Sequence, residues 1–286
     1  PPTIREVGAA IAENKIAAAD ELLAKYRAAN GVTPEMLEAL SWMGRGHLAA
    51  KNYPAAEKYA RDTHALVMEE LKRRPLDQEP RLPIALGAAI EVLGQVVAAR
   101  GARTEAVAYL TGELEKYRRT SMAKRIQKNI NLISLEGQPV PTLDVSEYLG
   151  PPPPSMASLK GKVVVMFFWA HWCSDCKNQG PILAALAEKY RDRGLVLVAP
   201  TQRFGYVAGG KDAPPAEELR YIDQVRKEFY PVLASQPVLV SEANHLRFGV
   251  STTPTLVLVD RAGVIRLYHP GKMTAEQLEA RIQPLL

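Results

Sequence analysis

The chain has 286 residues, a length that suits two domains, each able to bury a core without disulfides or metals. Its 47% hydrophobic and 23% charged content is that of an ordinary soluble globular protein, and it lacks the unbroken apolar run of about 18 residues that a membrane span needs. The net charge is only +5, and the densest basic stretch, residues 118–128, has no interleaved aromatics. We interpret it as a solvated helix face and expect no nucleic-acid partner.

The first half of the chain is predicted to be helical almost throughout, over residues 4–135. Ala, Leu, Glu, Lys and Arg dominate there, and apolar residues recur at helical spacing. Residues 7–26 predict a first, weakly patterned helical hairpin.

An internal repeat follows, in which residues 40–60 align with residues 90–110 after a shift of 50 positions. The matched identities are Gly44 with Gly94, Ala49 with Ala99, Ala56 with Ala106, and Tyr59 with Tyr109. The order of glycine, polar turn and small residue resembles the tetratricopeptide hairpin, although that family repeats after about 34 residues. A tetratricopeptide-like array and a merely similar helical array therefore both remain open, and either could recruit a protein partner.

A segment dense in Pro and Gly ends the helical pattern, with four consecutive prolines at 151–154. We accordingly predict a helical repeat-like domain over residues 1–136, a Pro-rich linker leading into the next domain over 137–161, and a second domain over 162–286.

The second domain alternates strand and helix patterns, which predicts an α/β sandwich with a mixed sheet. The predicted elements are a buried strand at 162–170, a helix at 175–191, a strand at 195–200, a helix at 217–230, strands at 255–260 and 264–269, and a helix at 275–286. The complete fold prediction from the pattern is thus an all-α domain followed by an α/β sandwich with a mixed sheet.

Both cysteines of the chain, Cys173 and Cys176, stand in one C-x-x-C at a strand-to-helix junction. This context predicts a redox pair, because the unpaired N–H groups and the dipole at a helix N-terminus stabilise a thiolate. Cys173 is expected to attack a disulfide in a partner, and the more buried Cys176 to resolve the mixed disulfide.

Other uses of the two sulfurs are less consistent with the sequence. A zinc site needs about four ligands, whereas the chain offers one C-x-x-C and five scattered histidines, so no metal is expected and His171 is interpreted as a modulator. Lys177 stands where a c-type haem motif has His. Ala170 stands where a peroxiredoxin-type site has Thr. The remaining alternative is that both cysteines are unreactive buried thiols. The neighbouring Trp172 and the position at a helix start make this alternative less consistent with the sequence.

Residues 138–286 resemble the TlpA/ResA-like branch of bacterial extracytoplasmic thiol–disulfide oxidoreductases, which is related to the AhpC/TSA family. The residues that carry the resemblance are LKGKVVV (159–165), FFWAHWCSDCK (167–177) and FGVSTTPTLVLVDRAGVI (248–265). The resemblance implies a thioredoxin fold. It also implies that Pro254 is cis beside the cysteines, that the backbone of Thr253 faces an extended substrate segment, and that Trp172 shields the site. A trans proline that merely ends a loop is the alternative for Pro254.

The sequence departs from its relatives where they keep a carboxylate. Phe167 occupies the place of a buried Asp of thioredoxin, and Gln179 the place of a Glu of the ResA-like branch. The proton acceptor for Cys176 is therefore open among water, His171 and Asp175. Because a negative Asp175 disfavours a neighbouring thiolate, we expect a couple nearer the roughly −270 mV of thioredoxin than the roughly −120 mV of DsbA.

An insertion at 201–218 is longer than a minimal thioredoxin connection. It predicts either a flap beside the cysteines that contacts partners or an ordinary surface insertion.

The function predicted from the sequence is reduction of disulfides in protein partners, with the Cys173–Cys176 pair as the only redox group and no separate cofactor. The alternatives are a redox-sensing or scaffold protein that recruits partners through its helices, and a thiol peroxidase. A start without methionine and cysteines confined to one pair favour an extracytoplasmic protein whose targeting segment was removed, with a cytoplasmic protein as the alternative.

Overall fold

The computed structural model describes residues 2–154 and 156–286, and the chain divides into two compact units, Pro1–Ile133 and Ser134–Leu286. Seven α-helices are described in and at the end of the first: α1 (Pro2–Ala12), α2 (Ile16–Asn30), α3 (Pro34–Ala49), α4 (Tyr53–Leu71), α5 (Arg81–Ala99), α6 (Arg103–Tyr117) and α7 (Ala123–Ser134). The predicted helical half is confirmed. Thr33 and Asn52 cap α3 and α4 by accepting the N–H groups of Met36 and Ala55.

The two repeated stretches form the helix pairs α3–α4 and α5–α6, and their matched glycines stand where the paired helices approach. A methyl group at Gly44 would lie 3.5 Å from the backbone N of Ala60, and one at Gly94 would lie 2.7 Å from Cδ2 of Leu110. The close approach of α5 and α6 thus requires a glycine at 94, whereas the space at Gly44 would accept a methyl group.

Helix α5 supplies much of the core of this unit, with Leu82, Leu86 and Ile90 fully buried. Its length and hydropathy would also fit a membrane-spanning helix, and 56% of its apolar window is buried inside the protein.

The prediction of a solvated basic face over residues 118–128 is wrong for two of its members. The side chains of Arg125 and Lys128 are only 19% and 14% exposed, because both turn towards the carboxylate of Glu91 on α5.

The second unit contains a four-stranded mixed sheet in the order β3-β2-β5-β6, which confirms the predicted α/β fold. Its elements are β1 (Tyr148–Leu149), β2 (Val163–Phe168), α8 (Ser174–Lys189), β3 (Leu195–Val198), α9 (Pro215–Phe229), β4 (Val238–Leu239), α10 (Glu242–Arg247), β5 (Thr255–Val259), β6 (Ile265–Pro270) and α11 (Ala275–Ile282). Strand β2 runs parallel to β3 and antiparallel to β5, and β5 and β6 form an antiparallel pair.

Strand β2 is buried on both faces, because its alternate side chains enter two different core clusters. Val163, Val165 and Phe167 enter the cluster that includes both cysteines. Met166 and Phe168 enter the cluster on the other face of the sheet. A rigid central strand therefore leads directly to the cysteine motif.

The segment predicted as a linker, residues 137–161, instead belongs to the second unit. The backbone N–H groups of Gly137 and Val140 donate to the carbonyls of Ile265 and Gly263, at 2.8 and 2.9 Å. Leu143 and Leu159 are buried, and β1 within the segment pairs with β4. Ser155 of this segment lies outside the described residues.

Candidate active site

The two cysteines lie where β2 turns into α8. Cys173 is the N-cap residue of α8, and its Sγ accepts the backbone N–H of Cys176 at 3.0 Å. The two sulfurs form a disulfide, in which Cys173 is 4% exposed and Cys176 fully buried. After reduction, a thiolate on Cys173 would keep the N–H group and the helix dipole as stabilising partners. Of the two cysteines, only Cys173 retains any exposed surface.

The loop before β5 lies against this pair. The Thr253–Pro254 peptide bond is cis, and the carbonyl oxygen of Thr253 lies 3.4 Å from Sγ of Cys173. Within the described part of the chain, the buried Oγ1 of Thr253 has no hydrogen-bond partner. Thr253 and Pro254 therefore lie beside Cys173.

Trp172 is 50% exposed and forms a rim next to the disulfide. Its ring meets the edge of Phe204, a residue of the 201–218 insertion, with 5.6 Å between ring centroids. The insertion thus contacts Trp172 directly through Phe204.

His171, predicted as a modulator, is buried and pairs with Glu218 on α9. Its Nε2 lies 3.3 Å from Oε1 of Glu218, and each side chain is only 1% exposed. Burial lowers the pKa of His171 below its usual value, and Lys177 lowers it further, whereas Glu218 partly opposes the shift. A neutral His171 held by Glu218 is a structural partner of the insertion, and no described hydrogen bond joins it to either sulfur.

The side chain of Glu218 also binds backbone groups of the insertion. Its two carboxylate oxygens accept the N–H groups of Phe204 and Gly205, the latter at 2.9 Å. Arg203, next to them, donates from Nη1 and Nη2 to the two carboxylate oxygens of Glu147. The insertion is therefore tied down at its start by two carboxylates. Sequence reasoning missed Glu218, although an acidic residue in the first turn of a helix after a Gly-rich loop is a signal for such a contact.

Asp175, the second residue between the cysteines, pairs with a cation that the sequence did not predict. Lys272 donates to Oδ1 of Asp175 at 2.9 Å, and both side chains are half-exposed or more. The positive charge offsets part of the repulsion between Asp175 and a thiolate, which weakens the reducing effect expected from Asp175 alone.

The positions where relatives keep a carboxylate are filled by uncharged side chains. Gln179 is buried, with Oε1 accepting the N–H of Met273 at 2.9 Å and Nε2 without a partner in the described residues. Phe167 packs against Tyr230, and burial raises the pKa of the Tyr230 hydroxyl. Neither Phe167 nor Gln179 can accept the proton of Cys176.

Among residues 2–154 and 156–286, no group of three or more His, Cys, Asp or Glu side chains is arranged to hold a metal ion.

The second unit is similar to a known protein family, to named relatives and to solved structures. A family model described as Redoxin matches residues 135–282, more than half of the chain. "Thioredoxin-like protein YneN" of Bacillus subtilis is 27% identical over 147 residues, which cover 51% of this chain and 78% of that protein. "Thiol-disulfide oxidoreductase ResA" of Bacillus thuringiensis is 26% identical over 132 residues, which cover 46% of this chain and 67% of that protein. Among solved structures, a thiol-disulfide isomerase from Corynebacterium glutamicum aligns with 52% of this chain and 96% of its own, at 23% identity and a TM-score of 0.42.

Proposed function

The chain belongs to the Redoxin family, and from this premise we propose that it is a thiol–disulfide oxidoreductase that reduces disulfides in protein partners. The observation that carries the proposal is the placement of Cys173. Its sulfur caps α8, lies beside the Thr253 carbonyl and is the more exposed of the pair. A fully buried Cys176 stands one helical turn away, ready to resolve.

The reaction begins with the reduced pair. The Cys173 thiolate attacks one sulfur of the partner's disulfide, which forms a mixed disulfide and releases the other partner sulfur as a thiolate that takes up a proton. Cys176 then loses its proton, and its sulfur attacks Sγ of Cys173. This second exchange releases the remaining partner thiol and leaves the oxidised pair seen in the structure, with two electrons transferred to the partner. A donor dithiol would restore the reduced pair by the same steps in reverse.

The surroundings of the pair support a protein substrate. The backbone of Thr253 offers hydrogen-bonding groups to an extended segment, and the exposed Trp172 offers an apolar contact beside it. The insertion adds Phe204 to the same rim. We propose that an extended partner segment pairs with the Thr253 backbone while its side chains contact this aromatic rim.

We further propose that the cysteine pair acts without a separate cofactor and that the protein works outside the cytoplasm. Every sulfhydryl of the chain belongs to this one pair, which suits a compartment where a stray thiol would be oxidised. The helical unit is proposed as a second contact with partners, in the manner of a tetratricopeptide-like array, because its paired helices repeat at the matched glycines.

The direct experiment is insulin reduction with dithiothreitol as donor, in the wild type and in Cys173→Ser and Cys176→Ser variants. We expect Cys173→Ser to lose turnover to the uncatalysed rate. Cys176→Ser should lose turnover but accumulate a mixed disulfide through Cys173, because the attacking sulfur remains and the resolving one does not.

Turnover that survives Cys173→Ser would overturn the proposal. So would peroxide-dependent turnover by the wild type without insulin reduction, since that result would identify a thiol peroxidase.

A further inference from the structure

Four charged side chains form a partly buried cluster across α3, α5 and α7 of the helical unit. Oε2 of Glu91 accepts Nε of Arg125 at 3.0 Å and Nζ of Lys128 at 3.2 Å. Arg45 lies on the other side, with its Nε 3.8 Å from Oε1 of Glu91. The cluster, which we call the Glu91 cluster, therefore holds three cations around one carboxylate.

The charges of the Glu91 cluster do not balance. Three positive side chains against one negative side chain leave a surplus of two positive charges. Burial lowers the pKa values of Arg45 and Lys128, while Glu91 raises them. The three cations lower the pKa of Glu91 to about 2, against the opposing effect of its burial. All three cations contact the same carboxylate, that of Glu91.

The cations also keep unused hydrogen-bond donors. The ammonium group of Lys128 has three N–H donors and one acceptor in the described residues, Glu91. The guanidinium of Arg45 lies 4.6 Å above the Trp42 ring and is 39% exposed, with no hydrogen bond described. A second carboxylate would satisfy these donors and reduce the repulsion among the cations, and charge-assisted pairs of this kind are the stronger class of hydrogen bond.

Exposed aliphatic side chains flank the Glu91 cluster. Ile84 stands two turns before Glu91 on α5 and is 42% exposed, and Leu132 stands one turn after Lys128 on α7 and is 45% exposed. Residues at these spacings share a helix face. A ligand that covers both features must carry carboxylates next to aliphatic groups, which an acidic peptide provides and an inorganic anion or a nucleic acid does not.

We propose that this face of the helical unit docks an acidic, aliphatic-containing segment of a protein partner. Its carboxylates pair with Arg45 and Lys128, and its aliphatic side chains cover Ile84 and Leu132. The site is independent of the cysteine pair and provides a partner-recognition surface on the helical unit.

The test is a titration of the full-length protein against a fluorescein-labelled octapeptide of alternating Glu and Leu, followed by fluorescence anisotropy. Lys128→Met and Arg45→Gln should each weaken binding about tenfold or more, because each removes a charged hydrogen-bonding partner. Glu91→Gln should strengthen binding, because it removes the competing carboxylate. Arg119→Gln, an equal charge change at an exposed residue of the same basic stretch, should change binding less than about twofold.

Several outcomes would overturn the proposal: equal binding by all variants, equal binding of a Gln-for-Glu peptide, or a Glu91→Gln variant that weakens binding as Lys128→Met does. The last result would mean that the cluster only supports the fold. Circular dichroism melts identify variants that unfold, and Arg45→Gln, at the most exposed member, tests the site if Lys128→Met does not fold. Insulin reduction by folded variants should equal that of the wild type, so failure of this proposal is distinguishable from failure of the redox function.

Discussion

The substitution Glu218→Ala separates the support of the insertion from the chemistry of the cysteines. Glu218 is 1% exposed, accepts the backbone N–H groups of Phe204 and Gly205, and faces Nε2 of His171. The alanine variant leaves two partly buried backbone N–H groups and one buried imidazole without their acceptor. At about 1–3 kcal/mol for each stranded group, with water able to reach the two N–H groups, the loss is about 3–5 kcal/mol in the free energy of unfolding of the second unit.

This loss should be visible in two measurements. For a unit of about 150 residues, each kcal/mol shifts the melting temperature by about 2–4 °C, so calorimetry should find the second unit melting about 10 °C lower. Hydrogen exchange should accelerate at the amides of 203–213, because Glu218 anchors their first residues. The rate of insulin reduction should also fall, since Phe204 no longer supports Trp172, whereas exchange with small disulfides should change less than about twofold.

Glu228→Ala, at an exposed position of the same helix α9, is the matched control and should leave the melting temperature and exchange unchanged. A melting temperature of Glu218→Ala within about 2 °C of this control, with unchanged exchange in the insertion, would refute the reasoning.

Two further predictions concern the redox couple and the helix pairs. Lys272→Met should make the reduction potential of the couple about 5–20 mV more negative, because Lys272 offsets the repulsion between Asp175 and the thiolate. Asp175→Asn should make the potential less negative. Equilibration with glutathione measures both potentials, and shifts of the same sign would contradict the reasoning. Gly94→Ala should destabilise the helical unit by about 1–3 kcal/mol through the clash with Leu110. Gly44→Ala, where the nearest atom lies 3.5 Å from the added methyl group, should be neutral or stabilising by up to about 1 kcal/mol. Urea unfolding that finds Gly44→Ala less stable than Gly94→Ala would refute this difference between the two positions.

Much of the fold could be predicted because its elements have strong local patterns. The apolar run around β2 and the helix after Cys173 were predicted to within a few residues of their observed bounds. Strands β1 and β4 were missed, because two residues carry no readable alternation and their pairing joins distant parts of the chain. The segment 137–161, predicted as a Pro-rich linker and entry segment, is held to the second unit by a few backbone hydrogen bonds that its Pro and Gly content does not indicate.

The residues of the cysteine motif and of the Thr253–Pro254 motif could be predicted from the sequence, but the residues that hold them in place could not. Cys173 and Cys176 lie in one short motif, and Thr253 and Pro254 lie in a second motif that the family resemblance identified. The partners that hold them are remote in sequence: Glu218 is 47 residues from His171, and Lys272 is 97 residues from Asp175. A single sequence carries no signal for such pairs.

The sequence by itself determined that the chain has an α-helical half, an α/β half and a C-x-x-C at a strand-to-helix junction. Hydrophobic periodicity and helix capping act over a few residues, so these features are written locally. Only the tertiary structure decided which charges meet. The packing of elements distant in sequence brought Glu218 to the insertion, Lys272 to the active-site turn, and Arg45 and Lys128 to Glu91. A buried charge is stable only beside an oppositely charged or hydrogen-bonding group. The packing of distant elements therefore determined which residues support the site and where cations outnumber carboxylates in the helical unit.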